Sequence, residues 1–330
     1  MNDNKTSKNS IVAKFAVPIS FLILFFLAAN FTDCDLVTFW KRRNHLTDLV
    51  VDMIPPDFSY IQKILLPLFY TIQMSVTGTV LGTFFALVLS PFGAANLGFP
   101  AVIRRILRIV IQILRSFPAL ILALTATFLF GLGTFAGTFA ITLYTFAIMT
   151  KLTYEDASAA DVKAYQALRV MGVSKYVAYI HGILPEIIPG FLTNALYLLE
   201  TNVRHSSILG YVGAGGIGLL LNEKISWLEY DKVGTILLML FLTVCVIEYF
   251  SRYLAALIRK ERTIKKEQAR LLLLFLAALF LICTFTLSLP DFSRTSPQTL
   301  RNMFAGFLQP DWSFFFSAEK DGLGYLLPFQ

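Results

Sequence analysis

Apolar runs close to the length of a bilayer crossing recur along this chain, and no other feature restricts its fold so severely. Candidate spans run from Ile11 to Phe31, Leu65 to Leu89, Phe117 to Gly131, Thr134 to Thr150, Ile188 to Leu221, Val233 to Ile258 and Leu271 to Leu289. A spanning helix takes roughly 20 mostly apolar residues. The composition agrees: 56% of the 330 residues are hydrophobic, 15% are charged and the mean hydropathy is +0.66, which excludes an ordinary soluble domain. The expected fold is therefore all-α, a polytopic membrane protein of about seven transmembrane helices. Two spans are irregular. Phe117–Gly131 is short and borders the Gly131-Leu132-Gly133 turn, whereas Ile188–Leu221 is interrupted by polar residues and glycines and reads as a broken or re-entrant element.

Lys5, Lys8 and Lys14 precede the first run as they would in a signal peptide, but the run exceeds the ~7–15 apolar residues of such a segment and reads as an anchor. Cys34, Cys245 and Cys283 are scattered and suggest neither a disulfide framework nor a metal site. Orientation follows from the basic residues, because cytoplasmic loops carry the excess of Lys and Arg. With the N-terminus in the cytoplasm, Lys5 to Lys14, Arg104 to Arg115, Lys151 to Lys175 and Arg252 to Arg270 share that side, which then holds most of the 28 lysines and arginines. Lys41-Arg42-Arg43 is the exception, in an external loop. The net charge of +7 is thus a topology signal set against membrane lipid, and no nucleic-acid partner is expected.

One polar island, about residues 151–187, interrupts the apolar pattern. Ala164, Leu168 and Met171 recur at helical spacing, with Lys163, Gln166 and Arg169 on other faces, and Glu155, Asp156 and Asp161 ahead of them suit a helix N-terminus. Gly172 stands where a helix ends in a left-handed residue, and Ser174 is placed to cap a second helix, Lys175 to Leu184. Pro185 and Pro189 are read as the stop that directs the chain back into the membrane. Such a pair of helices either docks a soluble partner or anchors the loop at the interface.

The island resembles the cytoplasmic loop of ABC importer permease subunits, through Gln166-Ala167-Leu168, Gly172 at the matching distance, then Gly182, Ile183 and Leu184-Pro185. Gln166 replaces the acid usual in that pattern and Gly182 an isoleucine. A second stretch, Glu200-Thr201-Asn202-Val203-Arg204-His205-Ser206-Ser207 through Gly213-Ala214-Gly215-Gly216-Ile217-Gly218, resembles the phosphonate/phosphite-type branch, and the likeness covers about residues 60 to 260. The resemblance implies a type I ABC importer permease in a bacterial cytoplasmic (inner) membrane, paired with a second permease subunit. It also implies a separate ABC ATPase subunit docked on the cytoplasmic loop and an external substrate-binding protein that delivers phosphonate, phosphite or a related oxyanion. By the same resemblance Tyr165, Gln166, Ala167, Leu168, Gly172, Leu184 and Pro185 would couple to the ATPase. No G-x-x-x-x-G-K-[ST] loop is present to hold ATP phosphates, so ATP hydrolysis belongs to the partner and no catalytic residue, metal or cofactor is assigned. A permease for methionine or another small solute, and an ATP-independent secondary transporter, are the competing readings.

Gly213, Gly215 and Gly218 satisfy G-x-G-x-x-G, yet that fingerprint has meaning only between a strand and a helix. In a membrane, glycines permit close packing or a bend, or mark irregular backbone that lines a cavity. Arg204 within an apolar span must be paired or face water; Glu200 lies four residues earlier on the same helical face. The candidate translocation path is Asn202, Arg204, Ser206, Ser207, Gly213, Gly215 and Gly216. His181 and His205 read as local polar contacts.

The expected organisation is an anchor helix and external linker over 1–64, a permease core over 65–260, and a third segment over 261–330. In that third segment a basic linker leads to another apolar run. Gln309-Pro310-Asp311-Trp312-Ser313-Phe314 then echoes Pro55-Pro56-Asp57-Phe58-Ser59-Tyr60, as the opening of a second permease copy would.

Overall fold

The computed structural model describes residues 16, 18–28, 36–260 and 266–287. The echo at 309–314 and the linker residues 261–265 lie outside them. The chain forms two compact units, Met1–Pro56 and Asp57–Gln330. In the first, α1 is the apolar helix Pro18–Ala28 and α2 is Leu36–Asp52.

The second unit opens with a 3-10 turn, Phe58–Tyr60, where Asp57 accepts from the Ser59 amide at 2.9 Å. It continues as α3 (Ile61–Gly93), α4 (Ala101–Ser116), α5 (Ala119–Phe130) and α6 (Thr134–Ala159). Next come α7 (Lys163–Val170), α8 (Lys175–Gly182) and α9 (Leu184–Leu209). After a glycine-rich break follow α10 (Ile217–Ser226), α11 (Tyr230–Ile258) and α12 (Lys266–Phe285).

Helix-on-helix packing in lipid needs close backbone approach, because no hydrophobic drive separates protein from acyl chains. α3 and α6 meet in this way. A Cβ added at Gly78 would come within 2.7 Å of Ile141 Cγ2, and one at Gly82 within 2.7 Å of the Thr142 carbonyl. Hydroxyls along both helices donate to the carbonyl four residues back, as in Ser75 to Thr71 and Thr138 to Thr134, both at 2.8 Å. These polar side chains therefore cost little to bury. Met74, Leu122, Ala126, Ala140, Ile141 and Leu209 close the core between α3, α5, α6 and α9. α12 joins through Gln73, whose amide donates to the Cys283 carbonyl at 2.9 Å and to Thr286 Oγ1 at 2.8 Å.

The count of seven spans is not confirmed. Among the described residues three helices, Phe58–Gly93, Thr134–Ala159 and Tyr230–Ile258, are long and apolar enough to cross a membrane, and five spans result if each of two bent pairs counts as one. α4 and α5 meet at 94°, and α8 and the segment after it at 70°. The run Phe117–Gly131 yields only the 12-residue α5, because Pro118 enforces a break after α4. Among the described residues the apolar stretches Pro18–Ala28 and Leu274–Phe285 are shorter, the second lying within the 20-residue α12.

Candidate functional site

The hairpin α7–α8 is built by local rules. Asp161 Oδ1 accepts from the Lys163 amide at 2.9 Å and its other oxygen lies 3.2 Å from Lys163 Nζ. The amide bond foremost, then the lysine, holds the Asp161 carboxyl below its ordinary pKa. At the other end of α7, Gly172 has φ +85°, its amide donates to the Arg169 carbonyl and the Val173 amide to the Leu168 carbonyl, each at 3.1 Å. That pair of bonds is a Schellman close. Ser174 Oγ then accepts from the Val177 amide at 3.4 Å, starting α8.

Three expectations for this region change. Glu155 and Asp156 do not precede a cytoplasmic helix: they belong to the last turns of α6, which runs on to Ala159. The buried side of α7 is not Ala164, Leu168 and Met171 but Tyr165 and Leu168. Ala164 is exposed, and Met171 is 70% exposed because it lies past the last helical residue, where helical spacing no longer applies. The third change concerns Pro185. It does not stop α8, which ends at Gly182; it stands in the first turn of α9, where a missing N–H has no consequence.

Tyr165 anchors the hairpin. It is 5% exposed, its hydroxyl donates to the Leu97 carbonyl at 2.7 Å, and it packs with Ala157, Ala178, Tyr179 and Ile183. Gly182 lets α8 cross here, since a Cβ would meet the Tyr165 backbone at 2.8 Å. An isoleucine at 182 would not fit this crossing. Gln166, Ala167, Gly172 and Pro185 are exposed, and Leu168 and Leu184 are half-buried. The sequence reading missed Val170, which is 88% exposed beside Met171 at the hairpin tip.

α9 divides the candidate path residues between two faces. Asn202 and Ser206 are fully buried. The Asn202 amide donates to Thr79 Oγ1 and Thr145 Oγ1, both at 2.8 Å, and Ser206 Oγ lies 2.9 Å from Ser75 Oγ, so these residues fasten α9 to α3 and α6. Arg204 points away from them, half-exposed and ion-paired with Glu200 as the spacing predicts. Ser207 donates to the Arg204 carbonyl at 2.6 Å, and the His205 ring meets Tyr144 edge-on at 5.3 Å.

After α9 the chain turns through Gly213, Gly215 and Gly216, all at positive φ. The Gly213 carbonyl accepts from Gly133 at 3.0 Å and Thr71 Oγ1 accepts from the Ile217 amide at 2.8 Å, which pins the break to α3 and the 131–133 turn. Gly215 and Gly216 line a cavity of about 380 Å³ with Pro67, Tyr70, Thr134 and Glu223. Beyond it, Lys224 is buried between Glu223 and Glu229, each at 3.0 Å, and over the Trp227 ring at 4.2 Å. Burial works against its charge, but the two carboxylates hold its pKa well above the ordinary lysine value.

Residues 78–263, more than half of the chain, match the family described as "Binding-protein-dependent transport system inner membrane component". A phosphite transport system permease protein, PtxC of Stutzerimonas stutzeri, is 30% identical over 66% of this chain and 79% of its own length. The phosphate-import permease protein PhnE of Mycolicibacterium smegmatis is 31% identical over 61% of this chain but only 38% of that relative. Among solved structures, an inward-facing MetNI methionine ABC transporter superposes with a TM-score of 0.54 at 20% identity, covering 61% of this chain and 99% of that one. The last likeness shows the shared type I importer permease fold. On the extent of the family match and the identity to PtxC, this chain belongs to the inner-membrane components of binding-protein-dependent transport systems.

Proposed function

We propose that this chain is the permease subunit of an ATP-driven importer for phosphite, phosphonate or a related phosphorus oxyanion. One observation carries the choice of an anion: relatives named for phosphite and phosphate import match this chain, and α9 exposes Arg204 five residues before its end. A guanidinium within the hydrocarbon costs ~2.5–3.5 kcal/mol on insertion scales unless it is paired or faces water. Its exposed face therefore belongs against water or another protein surface. In this reading that face lines the passage between this chain and a second permease subunit. Arg204 exchanges Glu200 for the passing oxyanion, and Ser207 with the cavity at Gly215 and Gly216 continues the path outward.

The ATPase docks on the tip of the cytoplasmic hairpin, at Gln166, Ala167, Val170, Met171 and Gly172. Tyr165 and Leu168 hold the hairpin to the membrane core, and Leu184 and Pro185 join it directly to α9. ATP binding thus acts on the helix that carries Arg204, provided the ATPase binds the two states of the permease unequally. An external binding protein supplies the substrate, and the N-terminus lies in the cytoplasm.

The test is uptake of labelled phosphite into proteoliposomes by the assembled transporter. Arg204→Ala is expected to lower the rate by about tenfold, the effect of losing one transition-state contact worth some 1.4 kcal/mol. Wild-type rate and KM in that variant would remove Arg204 from the path.

A further inference from the structure

The early half of α9 faces the late half of α11, and between them lies a second cavity, of about 470 Å³. Its α11 wall runs to Arg259, just past the last residue of that helix, and its α9 wall runs from Thr193 to Glu200. Arg252 and Arg259 stand in its wall, while Leu196 and Ala255 give it an apolar side. Glu200 also lines it, but that carboxylate is held by Arg204. Arg252 is ion-paired with Glu248, which is outside the cavity; among the described residues Arg259 has no acidic partner. Two neutral donors complete the wall. Ser251 is 5% exposed, and among the described residues neither its hydroxyl nor the Asn194 amide has a hydrogen-bond partner.

Both groups are open to the cavity and free to donate to a ligand there. Two guanidiniums add planar donor arrays that suit phosphate oxygens. Basic pockets between transmembrane helices at the cytoplasmic surface hold anionic headgroups, with acyl chains lying along the adjacent apolar wall. We infer that the cleft between α9 and α11 binds a phosphate oxyanion at the membrane surface, through Arg252, Arg259, Ser251 and Asn194. Either an anionic phospholipid headgroup or free inorganic phosphate provides that chemistry. The cleft adjoins Arg204 only through Glu200 and lies apart from the Gly215 cavity, and the inference does not rest on which substrate is transported.

Native mass spectrometry of the purified full-length chain tests it, with phosphatidylglycerol and phosphatidylcholine of the same acyl chains supplied separately. Wild-type protein should prefer phosphatidylglycerol, and R252Q/R259Q should lose about thirtyfold in that preference, as removal of two cations near a membrane surface predicts. Asn194→Asp, which places a carboxylate in the cleft without removing a cation, should weaken the same preference. Displacement of the lipid by millimolar inorganic phosphate would identify free phosphate as a ligand of the same site. Failure to displace would assign the cleft to the headgroup. Equal retention of the two lipids together with no phosphate binding would overturn the inference, as would unchanged preference in both variants. Arg105→Gln, on the exposed side of α4, controls for nonspecific loss of charge.

Discussion

Asn202 and Arg204 are two residues apart on α9 and have opposite tasks, because two steps of a helix rotate a side chain by about 200°. Asn202 makes two buried hydrogen bonds, to Thr79 and Thr145. Interhelical hydrogen bonds in membranes average about 0.6 kcal/mol each, so Asn202→Ala should destabilise the subunit by about 1 kcal/mol. A lower thermal midpoint in detergent, with Arg204→Ala unchanged in the same assay, is the expected result. The sequence marked both residues as polar within a span, but it did not say which faced the neighbouring helices; that depends on where Thr79 and Thr145 fall after α3 and α6 have packed. Gly172 and Ser174 were legible, since their roles depend only on adjacent backbone. Asp161 gives a pH prediction at the same scale. Its carboxyl is held below the ordinary value, so the stabilisation it provides is present above that value, about pH 3.9, and is lost as pH falls through the lowered folded value. The protection factor of the first turn of α7, with the intrinsic pH dependence of exchange divided out, should therefore fall on acidification in the wild type. In Asp161→Asn, whose amide oxygen can still accept from Lys163, it should stay level.

Among whole elements, α3 and α6 approach closely, and that approach rests on glycines. At Gly82 the obstacles to a side chain include the Thr142 carbonyl and the Phe146 amide, both backbone atoms that cannot rotate aside. Gly82→Leu should force the pair apart and cost about 3 kcal/mol, the upper range for overpacking. Loss of the monodisperse peak in size-exclusion chromatography would register it, and an unchanged profile with wild-type thermal midpoint would refute the packing described. The α7–α8 hairpin was legible as two short helices, because capping and glycine signals act locally. The bend between α4 and α5 was not, since hydropathy counts apolar residues without sensing a 94° turn. α4 illustrates the difficulty: Ile106, Ile109 and Ile113 are exposed on one side, while Arg108 on another donates to the Gly93 carbonyl at 2.8 Å. Joined to α5 it would pass as one span, yet its 16 residues, four arginines and the bend suit a helix lying along the membrane surface.

For the molecule as a whole, the hairpin and the exposed face of α9 are the two surfaces through which the proposed importer would work. They are joined by covalent continuity at Ile183–Leu184, where the chain bends by 70°. A push on α7–α8 must therefore move α9 or break the Tyr165–Leu97 and Tyr179–Ser90 contacts, the latter at 3.4 Å. In the proposed importer the hairpin serves as the ATPase-docking element, which a secondary transporter would not need. The decisive measurement is labelled phosphite uptake into proteoliposomes containing this chain, a partner permease subunit, the ATPase and the binding protein, with and without internal ATP. Uptake that requires both ATP and the binding protein, and that falls in parallel with ATP hydrolysis when Met171 is replaced by Asp, is the predicted result. Uptake that proceeds on an ion gradient without ATP would contradict the account.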